Sequence, residues 1–285
     1  MIYSPYREGR CPTQREIDQD IKLISPITSR LHLYGMDCNQ TSMVLSSINR
    51  LAPNMKLMIG MWVRGEGRFE IESKELKKVL DEVEYLRSKG RGREDNIIGI
   101  CVGNEELFTK SLSKMELIDM LRKVKSIVKE FDLNIPVYTT EIPILWDHEL
   151  AEESDAILLN IHPYFDQKLN PSKEAALRVL DQYLRFQSIY SIHNKPIIIG
   201  ETGWPNGGQQ VDNTGIPGFK EQESFFKKLI CLCDYYKIHY YLFEAYDSGW
   251  KEFKLFNGVE KHFGLFSKDR IRHHQLSLRA EKACV

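Results

Sequence analysis

Eight apolar runs of strand length recur along this chain, with amphipathic segments of helical length between them. The runs fall at residues 2–6, 30–35, 56–63, 97–103, 135–141, 156–164, 196–203 and 238–246. Most are continuous, as in Ile197-Ile198-Ile199 and Ile157-Leu158-Leu159, the pattern of strands covered on both faces and hence of a parallel sheet. Between residues 73 and 89, Leu76, Val79, Leu80, Val83 and Leu86 recur at spacings of three and four, so one helical face is apolar. Residues 113–131 repeat the pattern. Ser113 with Glu116, and Thr13 with Glu16, have the spacing of a capping box at a helix start. Further helices are expected at 41–51, 172–193 and 219–236, with a short one within 145–153. Strand then helix, eight times in about 250 residues, predicts a (β/α)8 barrel, an α/β fold with its active site at the C-terminal ends of the strands.

Other architectures fit less well. A doubly wound sheet would show fewer strands and a Gly-rich phosphate turn after the first; the chain has neither G-x-G-x-x-G nor a P-loop. Gly65-Glu66-Gly67 follows the third run and reads as a turn. No Pro/Ser-rich linker divides the chain, so residues 1–285 are expected to form a single catalytic domain whose last 15 or so residues form a peripheral tail. His273 and His274 are expected on that solvated tail. A domain of this size buries on the order of 75% of its unfolded surface and needs no staples.

The 39 Lys and Arg against 40 Asp and Glu give a net charge of -1, with no block of like charge. Nucleic acid is therefore an unlikely partner. No run approaches the roughly 18 apolar residues of a spanning helix, so no membrane span is expected. The six cysteines include a C-x-C at Cys231 and Cys233 but no C-x-x-C, which leaves no usual zinc or redox spacing. No metal and no cofactor are implied. Cys11 and Cys38 both follow expected strands near the N-terminus and are candidates for a bridge if the protein is exported.

In a barrel the chemistry sits on the polar residues that end each strand. These are rich in carboxylates and aromatics, without paired basic residues, an inventory suited to a neutral polyhydroxylated substrate. Glu105 and Glu201 each follow an apolar run through glycine, in Val102-Gly103-Asn104-Glu105 and Ile199-Gly200-Glu201. Strands four and seven face each other across a barrel. They could supply the roughly 5 to 5.5 Å carboxyl separation that retaining glycoside hydrolysis needs. A surface carboxylate capping the following helix is the alternative for each.

Ile199-Gly200-Glu201-Thr202-Gly203-Trp204-Pro205 resembles the signature of glycoside hydrolase family 17, the β-1,3-glucanase and glucanosyltransferase family. Val102-Gly103-Asn104-Glu105 resembles its acid/base strand, Asn160-Ile161-His162-Pro163-Tyr164-Phe165 its sixth-strand motif, and residues 260–266 its C-terminal segment. Tyr3-Ser4-Pro5-Tyr6, residues 33–39 and Phe243-Glu244-Ala245-Tyr246-Asp247 extend the likeness and resemble the fungal cell-wall branch more than the plant enzymes. Ser248 departs from the pattern, since many relatives carry Glu there, and so does Phe263, in place of the usual Trp.

The resemblance implies that Glu105 is the general acid/base and Glu201 the nucleophile of a covalent glycosyl-enzyme. The charge of Glu201 would keep Glu105 protonated until the glycosyl bond neutralises it. Asn104 would bind the sugar 2-hydroxyl. Tyr34, Asp37, Tyr138, Glu141, His162, Tyr164, Trp204, Glu244, Asp247 and Lys251 are carried over as candidates for the substrate subsites, although any strand-end Tyr could equally be core. The expected activity is a β-1,3-glucanosyltransferase with residual endo-hydrolysis. A pure endo-β-1,3-glucanase and a non-enzymatic glucan-binding barrel remain the alternatives. The expected partner is a β-1,3-glucan oligo- or polysaccharide, and a monomer is expected. Such an enzyme works outside the membrane, secreted or in the cell wall. With Met1 almost on the first strand, a signal peptide is expected to lie outside this sequence. Asn39-Gln40-Thr41 is a glycosylation sequon that would matter only in a secretory compartment.

Overall fold

A computed structural model describes residues 1–90, 94–166, 172–251 and 255–273. These resolve into two compact units. The first holds Cys11–Leu158 and Ile192–Ile197; the second holds Met1–Arg10, Leu159–Ser191 and the described chain from Ile198 onward.

The first unit opens with α1 (Gln14–Ile24), whose predicted capping box is present: Thr13 Oγ1 accepts the Glu16 amide while the Glu16 carboxylate accepts the Thr13 amide at 2.8 Å. Then come β1 (Arg30–His32), α2 (Gln40–Leu51), β2 (Lys56–Met61), α3 (Arg68–Ser88), β3 (Ile97–Val102) and α4 (Lys114–Glu130). The unit continues with β4 (Val137–Tyr138), β5 (Thr140–Glu141) and α5 (His148–Glu153). Helix α4 carries the second predicted capping box, from Ser113 and Glu116. Helix α3 starts five residues ahead of expectation because Gly67, with φ of 69°, turns the chain there and buries Phe69 and Glu72. The flanking glycines thus do form a turn. Strands β1 to β4 are adjacent in chain order and parallel, with Leu31 opposite Leu57 and Ile100 opposite Val137. The run at 135–141 is interrupted at Thr139, so one expected strand appears as β4 and β5.

β6 (Ile157–Asn160) and β7 (Ile197–Thr202) run into the second unit, which also holds α6 (Ser172–Tyr190), α7 (Phe219–Tyr236) and β8 (Tyr240–Leu242). Strands β7 and β8 are parallel, with Ile199 opposite Tyr240. The expected strand at 2–6 is not formed. Ile2 donates to the Leu242 carbonyl and accepts from the Ala245 amide, both at 2.9 Å, but the pairing ends there, and Pro5 lacks the amide a ladder needs. Among the described residues, no α-helix follows β8; a 3-10 turn at Leu255–Lys261 stands there.

Cys11 and Cys38 form a disulfide with Cα atoms 5.5 Å apart, closing a loop of 27 residues. Cys231 is disulfide-bonded too, which its C-x-C spacing gave no reason to expect, while Cys101 and Cys233 are buried thiols. Asn39 of the sequon is exposed. Among the described residues, no helix is long and apolar enough to cross a membrane.

Candidate active site

In the first unit the end of β3 turns sharply. Gly103 has φ of 73° and Glu105 itself has φ of 56°, the left-handed region that glycine favours. A Cβ on Gly103 would lie 2.6 Å from Glu106 Cγ, so glycine is required for the turn to close over that side chain. Glu106 is fully buried, accepts the Asn104 amide at 3.3 Å and pairs with Arg64 Nε at 3.4 Å. Arg64 Nη2 also donates to the Asn104 carbonyl at 3.0 Å, and Asn104 and Glu105 are half-buried. Arg64 and Glu106 thus anchor this turn, although the sequence showed them only as two among many strand-end polar residues.

Glu141 is corrected from subsite to interior. It is fully buried at the end of β5, and its two oxygens accept the Leu107 amide at 2.6 Å and the Phe108 amide at 3.4 Å. Tyr138 is also corrected. Its hydroxyl lies where a Cβ of Gly99 would be and donates to the Ile98 carbonyl, so it fills space over β3 rather than the strand ends. Asp37 accepts from Gln40 Nε2 at 2.7 Å, ahead of α2, and Tyr34 is half-buried against the His32 ring.

Glu72 on α3 went unnoticed in the sequence. Its buried carboxylate takes the Met36 amide at 2.9 Å, the Trp62 amide at 3.2 Å and Arg68 Nη2 at 2.9 Å, which ties the residues after β1 and β2 to one helix. The only available signal was Arg68 four residues earlier. Burial pushes the carboxyls of both Glu72 and Glu141 up to about 7, against the opposing pull of their backbone donors. Between the ordinary value of 4.5 and about 7 the folded chain keeps protons that the unfolded chain has lost, so stability falls as pH rises through that window. Thermal unfolding is expected to shift to lower temperature between pH 5 and pH 7.5, and the slope to flatten in Glu72→Gln. An equally steep slope in that variant would contradict the assignment.

In the second unit, Glu201 lies on β7 with 4% of its surface exposed. Its Oε2 is 3.3 Å from His162 Nε2, and its buried Oε1 has no hydrogen-bond partner among the described residues. An unmet buried acceptor is costly in a folded protein, and a catalytic role is one explanation for keeping it. His162 is wedged edge-on among Phe165, Phe243 and Phe263, which fixes its ring against Glu201. Phe263, the departure from the usual Trp, is fully buried in that cluster.

Trp204 and Tyr164 are brought together, but as packing. Both are fully buried with ring centroids 5.4 Å apart, and Trp204 Nε1 donates to the Ile216 carbonyl at 2.9 Å. Their assignment to subsite surface is thereby corrected: neither ring has a face for a sugar. Asp247 is likewise a scaffold residue. Its Oδ1 accepts from Asn206 Nδ2 at 3.1 Å and the Gly264 amide at 2.9 Å, and its Oδ2 contacts His273 Nε2 at 2.8 Å. His273 is therefore packed, not on a solvated tail; His274 lies outside the described residues. Glu244, buried, accepts from Ser248 Oγ at 2.9 Å and pairs with Lys251 Nζ at 3.2 Å; Lys251 also reaches Glu260 at 3.4 Å. Burial drives the Glu244 carboxyl up despite Lys251 and Ser248. Burial would lower the Lys251 ammonium, but Glu244 and Glu260 outweigh it, helped by Glu201, and hold it above its usual range. Ser248, the other departure, thus supplies Glu244 with a hydroxyl donor.

Trp250 was missed because no motif contains it. Its ring is exposed, propped edge-on by Tyr6 at 5.4 Å and 5.9 Å from Lys251 Nζ. Among the described residues no group of three or more His, Cys, Asp or Glu could hold a metal ion.

Strands that end in buried carboxylates, one with an oxygen unpaired among the described residues, are an arrangement that glycoside hydrolysis can use. Residues 1–264 match the BtgE/BtgC glycoside hydrolase domain, and the chain belongs to that family, in keeping with the family 17 motifs. It is 30% identical over 282 residues to a glucan endo-1,3-beta-glucosidase, btgC, of Emericella nidulans, an alignment covering 88% of this chain and 41% of that protein. The chain thus spans about two fifths of the length of the curated relative it matches. Its fold is that of the glycoside hydrolase family 17 beta-1,3-glucanosyltransferase from Rhizomucor miehei, with a TM-score of 0.83, 24% identity and 98% and 97% of the two chains covered. An active-site mutant of that enzyme has been solved in complex with laminaritriose. An endo-laminarinase from Formosa shares the fold at a TM-score of 0.79 and 21% identity, covering 94% of this chain and 83% of that one.

Proposed function

We propose that this chain is a retaining β-1,3-glucan-active enzyme, a β-1,3-glucanosyltransferase with residual endo-hydrolysis, built as one (β/α)8 barrel and acting as a secreted or cell-wall monomer. The observation that carries the reading is Glu201, a buried carboxylate with one oxygen held by His162 and the other unpaired among the described residues. Family membership over residues 1–264 supports it, and the laminaritriose bound by the Rhizomucor mutant indicates the substrate class.

In the first step Glu201 attacks the anomeric carbon while Glu105 gives its proton to the departing glycosidic oxygen, so the C1–O bond breaks and a glycosyl ester forms. In the second, a sugar hydroxyl or water gives its proton to Glu105 as its oxygen takes C1, releasing Glu201. His162 keeps Glu201 aligned, and Asn104 binds the 2-hydroxyl. Which acceptor wins depends on how well sugar is held relative to water. The curated relative's name, an endo-glucosidase, favours water as the second reading. Incubation with laminarihexaose is expected to yield chains longer than the substrate, with retained anomeric configuration by NMR. Only shorter chains at every concentration would leave hydrolysis alone, and no turnover at all would leave a glucan-binding protein.

The exposed Trp250 ring offers an apolar face on which a glucosyl unit stacks. Trp250→Ala is expected to raise KM for laminarihexaose about tenfold with kcat little changed, with Trp250→Phe recovering most of the loss. An unchanged KM would remove Trp250 from the substrate surface.

A further inference from the structure

Glu141 spends both of its oxygens on the backbone of the turn that carries Glu105. Its Oε1 takes the Leu107 amide at 2.6 Å and its Oε2 the Phe108 amide at 3.4 Å, while the preceding Thr140 carbonyl takes the Glu105 amide at 3.0 Å. Two adjacent residues of β5 therefore hold three amides of one short turn. The Glu105 carbonyl in turn accepts the Thr109 amide at 2.9 Å, so the turn is closed on itself as well.

That turn needs holding. A left-handed φ is strained for a residue other than glycine, and Glu105 adopts one at 56°. A fully buried carboxylate is itself expensive, and an apolar side chain would fill the same volume more cheaply if packing were its purpose. The carboxylate supplies what an apolar residue lacks, two acceptors aimed at amides that would otherwise be unmet. Arg64 adds a further hold on the turn through the Asn104 carbonyl and Glu106, so the backbone at Glu105 is tied both to β5 and to Arg64.

We propose that Glu141 is a positioning residue for proton transfer: its carboxylate fixes the backbone turn that presents Glu105. This rests on the acid/base assignment of Glu105 made above. It separates Glu141 from the substrate and gives it a role that only a reaction needing Glu105 can detect.

The test compares two leaving groups in Glu141→Gln and Glu141→Asp. Glutamine keeps the shape but presents an amide N–H toward one backbone donor; aspartate keeps the charge but falls short by one methylene. On laminarihexaose, whose departing sugar must be protonated, both variants are expected to lose ten- to hundredfold in kcat with KM within about threefold. On a dinitrophenyl β-laminaribioside, whose leaving group needs no proton, the burst of dinitrophenolate is expected to stay within about threefold of the parent rate. Azide, a nucleophile that needs no general base, should restore steady-state turnover on that substrate. Equal losses on both substrates without azide rescue, in variants whose melting temperatures show them folded, would overturn the proposal and reduce Glu141 to a structural residue. Glu105→Ala, run in parallel, isolates the premise. If it too lacks leaving-group dependence and azide rescue, the acid/base reading of Glu105 fails independently of Glu141.

Discussion

Glu201→Gln is expected to lower kcat on laminari-oligosaccharides by on the order of ten-thousandfold or more while leaving the fold and glucan binding intact. The amide matches the carboxylate in shape, so the β7 packing and the contact with His162 Nε2, 3.3 Å in the parent, survive. What disappears is the anionic oxygen that forms the ester. Oε1 is the atom concerned, because of the two carboxylate oxygens it is the one without a partner among the described residues, whereas Oε2 is engaged by His162. Glu201→Ala adds a second signature. Removing the side chain opens a space at the end of β7 that azide can enter, and attack from that side gives a glycosyl azide of inverted configuration. The azide product should form in Glu201→Ala and not in Glu201→Gln, where the amide still fills the space. Retained cleavage in either variant would show that the nucleophile lies elsewhere, and inverted sugar products from the parent would exclude the covalent route.

The elements of this fold could be read from local signals, and the failures came where distant parts of the chain decide. Capping boxes at Thr13 and Ser113 lie within four residues, and both formed as spelled. The run at 2–6 had the apolar content of a strand, but it pairs with the chain around β8 at Ile2 without extending into a ladder. At the candidate site, the two carboxylates after Gly103 and Gly200 were visible because the apolar run, the glycine and the acid are contiguous. Exposure was not visible. Trp204 and Tyr138 look like sugar platforms in sequence, yet each ring occupies the space that a glycine leaves. Gly215 lies against Trp204 and Gly99 against Tyr138, where an added Cβ would lie 2.4 Å and 1.7 Å away. Glu72 and Glu141 serve backbone amides more than thirty residues distant, at Met36 and Leu107, which no spacing rule reaches. The converse case is Trp250, which is exposed and sits in no motif. A strand-end aromatic is thus evidence of position only; whether it offers a face to a ligand depends on what packs against it.

Lys251→Met is expected to destabilise the protein by about 3–5 kcal/mol, because it removes the cation that pairs with Glu244, a carboxylate the fold keeps out of water, and with the partly exposed Glu260. Lys251 Nζ lies 3.2 Å from Glu244 Oε1 and 3.4 Å from Glu260 Oε2, and it stands 4.5 Å over the Phe243 ring. Methionine fills the stem but leaves Glu244, 1% exposed, with the Ser248 hydroxyl and the like charge of Glu260. Burial already raises the Glu244 carboxyl, and losing the opposing ammonium raises it further, so the folded variant takes up a proton that the unfolded chain releases near 4.5. Stability of the variant therefore falls as pH climbs from that value towards the raised one, and the deficit relative to the parent is smaller at pH 5 than at pH 8. Glu244→Gln in the Lys251→Met background removes the stranded charge while keeping an acceptor for Ser248, and should recover a substantial part of the loss. Denaturant unfolding of the parent, Lys251→Met, Glu244→Gln and the double variant at both pH values measures the coupling. A loss below about 1 kcal/mol that does not change with pH would mean that the pair behaves as a solvated surface bridge, despite its burial.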